Sequence, residues 1–128
     1  MDALPEQQSS VNPQNTRAKG ASAEQVAAEF LTAKGFTIIV RNYRVRIGEI
    51  DCIARDRDGT LVFVEVKSSR NGSCGNPLSW VTPAKQRTIA KVARWYLAAQ
   101  RIRSCPCRFD VVAVAEGKIE HLKNAFLT

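Results

Sequence analysis

The sequence lacks the features that mark membrane and secreted proteins. No run in it approaches the roughly 18 apolar residues of a membrane-spanning helix. The first 16 residues contain neither the basic start nor the apolar centre of a secretory signal. We therefore expect a cytoplasmic protein with no membrane span.

Cysteine and histidine are too few and too scattered for a disulfide framework or a zinc site. The chain has four cysteines and one histidine, His121, whereas a structural zinc site needs its ligands in recognisable pairs. Cys105 and Cys107 form the only close pair, and Cys52 lies in an apolar run typical of a small core residue. Because cytosolic thiols stay reduced, we expect free thiols.

Acidic residues are absent between residues 66 and 109, where nine Lys and Arg residues lie. The whole chain has 19 basic and 12 acidic side chains, which give a formal charge of +7. A basic block of this kind indicates a polyanionic partner, such as a nucleic acid. The acids all lie outside the block.

Length and composition indicate one globular domain behind a polar tail. Of the 128 residues 45% are apolar, which is enough for one core. Residues 1–16 are rich in Gln, Ser, Asn and Pro and predict a disordered tail. The domain is expected to occupy residues 17–128.

Apolar periodicity and turn residues predict two helices and five strands. Ser22 and Thr82 are typical helix N-caps, Gly35 is a typical helix stop, and Asp58-Gly59 predicts a hairpin turn. The helices are predicted over residues 22–34 and 83–99, and the strands over 36–47, 49–54, 61–67, 108–114 and 118–123. This order predicts an α/β protein of the α+β type, with a central mixed sheet flanked by helices.

Charged side chains interrupt the second and third predicted strands, which are otherwise apolar. Strict alternation places Glu65 and Lys67 on one face of the third strand. In the second strand it places Asp51 on the face opposite to Ile50 and Cys52. The hairpin brings Asp51, Glu65 and Lys67 to one end of the sheet, where two carboxylates repel each other. A divalent cation that prefers oxygen ligands, Mg²⁺ or Mn²⁺, relieves that repulsion.

This cluster has a chemical interpretation and a structural one. A metal held by Asp51 and Glu65 could activate water and neutralise a phosphate, and Lys67 could stabilise the charge that develops on the phosphorane oxygens. The alternative is a surface hairpin with a Glu–Lys pair at its end. Glu24, at the border of the first helix's apolar arc, is either a third acid of the cluster or an acid that favours the helix N-terminus.

The sequence resembles the PD-(D/E)xK nuclease superfamily at Gly48-Glu49-Ile50-Asp51 and Glu65-Val66-Lys67. More closely, residues 17–127 are similar to the YraN-like family of small predicted bacterial endonucleases, which is related to archaeal Holliday junction resolvases. The other matching stretches are Gly20 to Leu31, Arg41-Asn42-Tyr43-Arg44, Phe63-Val64, Lys85-Gln86, Arg108-Phe109-Asp110 and Asn124-Ala125-Phe126. The superfamily's proline is absent, since Glu49-Ile50 precedes Asp51, and Ala23 stands where the family usually has glycine.

The resemblance implies a restriction-endonuclease-like αβββαβ core and a metal-dependent endonuclease that hydrolyses phosphodiester bonds in DNA, with branched DNA among the candidate substrates. It implies Mg²⁺ or Mn²⁺ as the cofactor and Lys67 as the catalytic lysine. The implied metal ligands are Asp51, Glu65 and Glu24. A homodimer is a further expectation, because small resolvase-like nucleases often pair. The alternative is a nucleic-acid-binding module that keeps the fold but has little or no catalytic activity.

The second helix carries residues that are expected to contact a nucleic acid. Arg87, Lys91 and Arg94 recur at i, i+4 and i+7 and form a basic stripe, which is alternatively an ordinary solvated face. Lys85 and Gln86 lie on the apolar side of the first turn. They either point over the sheet toward the acidic cluster or extend from the helix end into solvent.

Two arginines and a tryptophan are further candidates. Arg70 lies in the loop over residues 69–82. Arg44 lies toward the end of the first predicted strand and either contacts the substrate or packs in the strand, and packing is favoured. Trp80, in the same loop as Arg70, either stacks on a base or packs in the core, and the core is favoured. The nucleic-acid surface is thus expected along the second helix and the loop before it.

Overall fold

The computed structural model describes residues 22–69 and 75–126. These ranges contain two helices, α1 (Ala23–Ala33) and α2 (Pro83–Ala99), and five strands: β1 (Thr37–Val45), β2 (Gly48–Arg55), β3 (Leu61–Ser69), β4 (Cys107–Ala115) and β5 (Lys118–Phe126). A short 3₁₀ helix, Pro77–Ser79, precedes α2. The predicted tail over residues 1–16 and the candidate contact Arg70 lie outside the described residues.

The strands form one mixed sheet in the order β1-β2-β3-β4-β5. Neighbouring strands are antiparallel except β3 and β4, which are parallel because the chain crosses over through α2 between them. α2 covers one face of the sheet and α1 covers the other. The predicted α+β class and the αβββαβ order are therefore confirmed. No helix in the described ranges is long and apolar enough to cross a membrane.

Both helices begin at the caps that the sequence predicts. Ser22 Oγ accepts a hydrogen bond from the Gln25 N–H at 3.1 Å, and Thr82 Oγ1 accepts one from the Lys85 N–H at 3.2 Å. Each bond satisfies a backbone donor that has no partner inside the helix. Gly35 follows α1 with a φ of 98°, a conformation that favours glycine and ends the helix.

Apolar side chains pack on both faces of the sheet. β3 is buried on both, with Leu61 and Phe63 directed toward α2 and Val62 and Val64 toward α1. Burying each such side chain stabilises the fold by about 1.5–3 kcal/mol. Cys52 packs in the α1 layer as the predicted small core residue, and the cysteines within the described ranges are free.

β2 departs from the strict alternation that its sequence predicts. Ile50 packs with Ile53 in the α2 layer whereas Cys52 faces α1, so the predicted placement of Ile50 beside Cys52 is wrong. The cause is a local irregularity at Asp51. The backbone pairing of β2 with β3 ends at Cys52, and in β1 the residue between the partners of Ile50 and Cys52 is Asn42, whose φ is 55°.

A buried carboxylate ties β4 to β5. Asp110 is fully buried and accepts hydrogen bonds from Arg108 Nε at 2.9 Å and His121 Nε2 at 2.8 Å. The Asn124 N–H donates a further bond at 2.9 Å. Burial acts to raise the pKa of Asp110, but these donors outweigh burial and hold the pKa below its usual range. His121 thus belongs to a structural network, and we assign it no catalytic role.

Candidate active site

The candidate site lies where β2 and β3 separate. Beyond the last backbone pair at Cys52, Asp51 Oδ2 accepts a hydrogen bond from the Val66 backbone N–H at 2.8 Å. The side chain of Asp51 therefore takes the place of a backbone partner at the end of the hairpin. This bond offsets part of the cost of placing a carboxylate in an apolar strand.

Glu65 lies beside Asp51 on the α2 face of the sheet. Its register partner in β4 is Val111, which belongs to the α2 core layer. The carboxyl groups of Asp51 and Glu65 are hydrogen-bonded to each other. Lys85 Nζ lies 3.5 Å from Glu65 Oε2. Lys85 therefore points from the first turn of α2 over the sheet toward the carboxyl pair, which is one of the two orientations that its helical position allowed.

The two carboxyl groups titrate at unusual pH because they are in contact and partly buried. Burial and the neighbouring Asp51 charge raise the pKa of Glu65 from its ordinary value of 4.5 to about 7, although Lys85 acts to lower it. Burial likewise raises the pKa of Asp51; its backbone hydrogen bond opposes this, and the charges of Glu24 and Glu49 add to it. Without a cation, the pair therefore holds a proton close to neutral pH.

Lys67 lies on the α2 face of the sheet, whereas Glu24 belongs to α1, which covers the other face. Lys67 follows Glu65 by two residues in β3 and lies on the same face, opposite Ala113 of the α2 layer. Glu24 lies in the first turn of α1, and its negative charge acts on Asp51. Glu24 thus belongs to the electrostatic surroundings of the pair.

Asp51 and Glu65 offer the oxygen donors that a hard divalent cation prefers. In the part of the chain that the structure describes, no three Cys, His, Asp or Glu side chains lie close enough together to hold a metal ion. Mg²⁺ tolerates such an open site, because it keeps several waters and is usually bound by one or two carboxylates together with substrate phosphates. The carboxyl pair therefore fits Mg²⁺ or Mn²⁺, with Glu24 outside the immediate donor set.

Two of the predicted nucleic-acid contacts are engaged within the protein. Gln86 does not reach the acidic cluster; its Nε2 donates to the Val81 carbonyl at 2.9 Å. Gln86 thus takes neither of the two predicted orientations, because the carbonyl just before the helix has no helical partner and accepts this bond instead. Arg44 is exposed but pairs with Glu49, with Nη2 and Oε1 2.8 Å apart.

The basic stripe of α2 is exposed to solvent. Arg87, Lys91 and Arg94 lie on the side of the helix that faces away from the sheet. None of these three residues forms an ion pair with a described residue. α2 ends at Ala99, so Arg101 does not extend the stripe. The three charges are therefore open to an external anion.

The two tryptophans divide between core and surface. Trp80 is 7% exposed, packs in the α2 layer and donates its Nε1–H to the Gly75 carbonyl at 3.3 Å, which confirms the core interpretation. Trp95 is 56% exposed on α2, and the apolar periodicity of the helix does not reveal it. The signal that could have found it is its spacing, since Trp95 follows Lys91 by one helical turn.

Several proteins are similar to this chain over most of its length. The UPF0102 protein of Symbiobacterium thermophilum is 51% identical over 116 residues, which cover 87% of this chain and 98% of the relative. The UPF0102 protein of Geotalea uraniireducens is 44% identical over 117 residues, which cover 88% and 91%. The UPF0102 protein of Syntrophus aciditrophicus is 50% identical over 117 residues, with the same coverage of 88% and 91%.

Two solved structures are distantly similar to this one. A repair endonuclease from Pyrococcus abyssi gives a TM-score of 0.39 at 20% identity, over 74% of this chain and 39% of that chain. A complex of EndoMS with dsDNA gives a TM-score of 0.41 at 16% identity, over 84% and 38%. This chain spans less than half of either protein, and the similarity is too distant to transfer an activity.

The match to a protein family covers most of the described chain. The model of the family described as "Uncharacterised protein family UPF0102" matches residues 23–114. The matched range runs from the start of α1 to Val114, the last residue but one of β4. It includes the residues of the candidate site, which are Glu24, Asp51, Glu65, Lys67 and Lys85. The chain belongs to the UPF0102 family.

Proposed function

We propose that this protein is a metal-dependent nuclease that hydrolyses phosphodiester bonds in DNA, with branched DNA among its substrates. One observation carries the proposal: the partly buried, hydrogen-bonded carboxyl pair of Asp51 and Glu65, with Lys67 on the same strand. A core built only for stability has no need of two carboxyl groups that raise each other's cost of ionisation. The exposed basic stripe on the adjacent helix supports a polyanionic substrate.

In this proposal Asp51 and Glu65 hold a Mg²⁺ or Mn²⁺ ion. When bound, the ion supplies charge neutralisation for a phosphate and an activated water. Binding requires both carboxyl groups to be ionised, so the proton that the pair holds near neutral pH is released. Glu24 adds negative charge from the α1 side, which favours a cation at this end of the sheet.

The two lysines of the site have separate roles in the proposal. Lys67 lies on the face of β3 that carries Glu65, and its Nζ stabilises the negative charge that develops on a non-bridging phosphate oxygen. Removing a preorganised donor of this kind costs about 10²–10³ in rate. Lys85 balances the charge of Glu65 in the metal-free protein and keeps the Glu65 carboxylate directed toward Asp51.

The test is a cleavage screen on linear, flapped and four-way DNA in Mg²⁺ and in Mn²⁺. We expect wild type to cut at least one of these substrates and Lys67→Ala to lose about 10²–10³ in rate while still binding DNA. Lys118→Ala is the matched control, because Lys118 is an exposed lysine of β5 whose ion pair among the described residues is with Glu120 at 3.1 Å. Cleavage by Lys67→Ala at the wild-type rate would remove Lys67 from the proposed site.

A second candidate function is binding without cleavage. The observation that favours it is the small donor set, since the described residues include no group of three metal-binding side chains. This candidate predicts salt-sensitive DNA binding, which a basic surface gives on its own, and no cleavage of any substrate in either metal. The same screen, run with a binding assay beside it, separates the two functions.

A further inference from the structure

The outer face of α2 combines an exposed aromatic ring with unpaired positive charge. We propose that Trp95 is a base-stacking site, and that this face holds a single-stranded segment of the nucleic acid next to the cleavage site. The statement that this face lies next to a cleavage site rests on the proposed nuclease function. The binding site itself does not depend on that function. Its test can therefore fail or succeed independently of cleavage.

The exposure of Trp95 is not explained by a contribution of its side chain to the stability of the fold. Its side chain is 56% exposed, whereas the other tryptophan, Trp80, is 7% exposed. A tryptophan usually contributes to a fold through burial of its large ring. An exposed indole retains a free π-face, on which any nucleic-acid base can stack without sequence preference.

The surroundings of Trp95 supply the charge that such stacking needs. Lys91 lies one turn before Trp95, Arg94 immediately before it, and Arg87 two turns before it. All three are exposed, and within the described ranges no acid pairs with them. A positively charged path with a stacking aromatic is the combination by which proteins hold single strands.

The β1–β2 turn borders the same side of the helix. Gly48 approaches α2 so closely that a Cβ there would lie 2.6 Å from Thr88 Cγ2 and 3.3 Å from Val92 Cγ2. Thr88, Val92 and Trp95 follow one another along one side of α2. Arg46 and Ile47, in the turn before Gly48, are exposed there. The turn adds a positive charge and an apolar side chain beside the stacking site.

The distance from Trp95 to the carboxyl pair fits a strand that reaches both. Lys85, which contacts Glu65, and Trp95 belong to the same helix. They lie about 15 Å apart along its axis at about 1.5 Å per residue. At the duplex spacing of about 3.4 Å per phosphate that length would hold about four backbone steps, and a more extended single strand spans it in fewer. The substrate class inferred is therefore DNA with unpaired bases a few nucleotides from the cut, as in a flap or an opened junction.

A second copy of the chain is the other occupant that an exposed tryptophan could fit. A symmetric contact through this face would bring two basic stripes together, because a twofold interface joins identical patches. Like charges at such close range oppose association. Charge complementarity therefore favours a nucleic-acid strand, and the oligomeric state of the variants decides the point.

The test is binding of oligothymidylate to the full chain in EDTA, where no metal-dependent cleavage occurs, followed by fluorescence and anisotropy. We expect the single strand to quench tryptophan fluorescence in wild type and in Trp80→Phe. In Trp95→Leu we expect the quench to disappear and affinity for the single strand to fall between about fivefold and a hundredfold. Trp95→Phe should retain part of the affinity, and affinity for blunt duplex DNA should change by less than twofold.

The outcomes separate this inference from the nuclease proposal. Equal affinity of Trp95→Leu and wild type for the single strand, or an equal loss for duplex DNA, overturns the stacking site even if the protein cleaves. Conversion of a wild-type dimer to a monomer by Trp95→Leu, with DNA affinity unchanged, shows that the face binds a second copy. Loss of single-strand binding in Trp95→Leu, in a protein that never cleaves, supports the stacking site and overturns only the nuclease.

Discussion

At the scale of single residues, the site is set by one side chain that replaces a backbone partner. Asp51 accepts the Val66 N–H, and its carboxyl group is also hydrogen-bonded to that of Glu65. The sequence predicts that these two residues meet, because the hairpin pairs their strands. It does not predict the break in alternation at Ile50, because the end of the β2–β3 pairing at Cys52 and the positive φ of Asn42 leave no trace in hydrophobic periodicity.

The raised pKa of Glu65 predicts a pH-dependent stability of the metal-free protein. Since the folded-state pKa, about 7, lies above the ordinary value of 4.5, the folded state binds this proton more tightly than the unfolded state does. The contribution is complete below about pH 4.5 and is lost as the pH rises through 7. We expect the free energy of unfolding to fall by roughly 1–3 kcal/mol between pH 4.5 and 8 from this group.

Urea unfolding in EDTA at several pH values measures this contribution. Glu65→Gln cannot ionise, so its free energy of unfolding should decline less than that of wild type across the same interval. Adding Mg²⁺ should raise the stability of wild type more at pH 8 than at pH 6, because cation binding competes with the shared proton. Parallel pH profiles of wild type and Glu65→Gln would contradict the assigned environment of Glu65.

At the scale of the elements, local signals fix the helices and turns, whereas contacts between elements decide the rest. The caps at Ser22 and Thr82 act within one turn, so the sequence alone locates both helices. The helical position of Lys85 allows two orientations and does not choose between them, and the pairing of Arg44 with Glu49 depends on the hairpin register. Those contacts are formed by tertiary packing, which local patterns do not encode.

Gly48 is where the β1–β2 hairpin meets α2, and we expect Gly48→Ala to push these elements apart. An added Cβ would lie 2.6 Å from Thr88 Cγ2, so the overpacking should cost about 1–3 kcal/mol of unfolding free energy. Thr88→Ser removes that methyl group and keeps the hydroxyl that donates to the Ala84 carbonyl at 3.2 Å. The double variant should recover part of the loss in chemical denaturation, and additive losses would count against this contact.

The buried carboxylate of Asp110 makes the β4–β5 pairing sensitive to a single substitution. Asp110→Ala removes the buried acceptor of Arg108 Nε and His121 Nε2, and only Arg108 keeps a second carboxylate, that of Asp56 at 2.8 Å from its Nη2. We expect a loss of about 3–5 kcal/mol of unfolding free energy. Glu116→Ala, in the exposed turn between β4 and β5, is the control and should change stability by less than about 0.5 kcal/mol. Comparable small effects in both variants would show that the network contributes little.

At the scale of the whole molecule, charge is divided between two surfaces on one scaffold. Asp51 and Glu65 lie together at the open end of the β2–β3 hairpin, and the acid-free block from residue 66 to 109 contributes the stripe on α2. The sequence predicts this division because the positions of the acidic and basic residues can be read directly along the chain. It does not identify Trp95 as exposed, because exposure depends on which elements cover a helix, and none of the described elements covers this face.

The stripe gives a prediction for salt dependence. Replacing Arg87, Lys91 and Arg94 with alanine should weaken duplex DNA binding and reduce the slope of log affinity against log salt by about 2–3, if each arginine or lysine neutralises one phosphate. Fluorescence anisotropy over a salt series measures the slope, with Lys118→Ala as the control of unchanged slope. An unchanged slope in the triple variant would place the DNA on a different surface.

We propose that the carboxyl pair holds the cation that drives cleavage, and a comparison of Glu65→Gln with wild type tests this. Glu65→Gln keeps the size and hydrogen-bonding capacity of the side chain but removes the negative charge that the cation needs. On whichever DNA substrate wild type cuts, the cleavage rate in saturating Mg²⁺ should fall by about 10²–10³ in Glu65→Gln. DNA binding in EDTA should be unaffected. A Glu65→Gln protein that cuts within a factor of about three of wild type, far below the loss expected for a disrupted metal site, would contradict the claim.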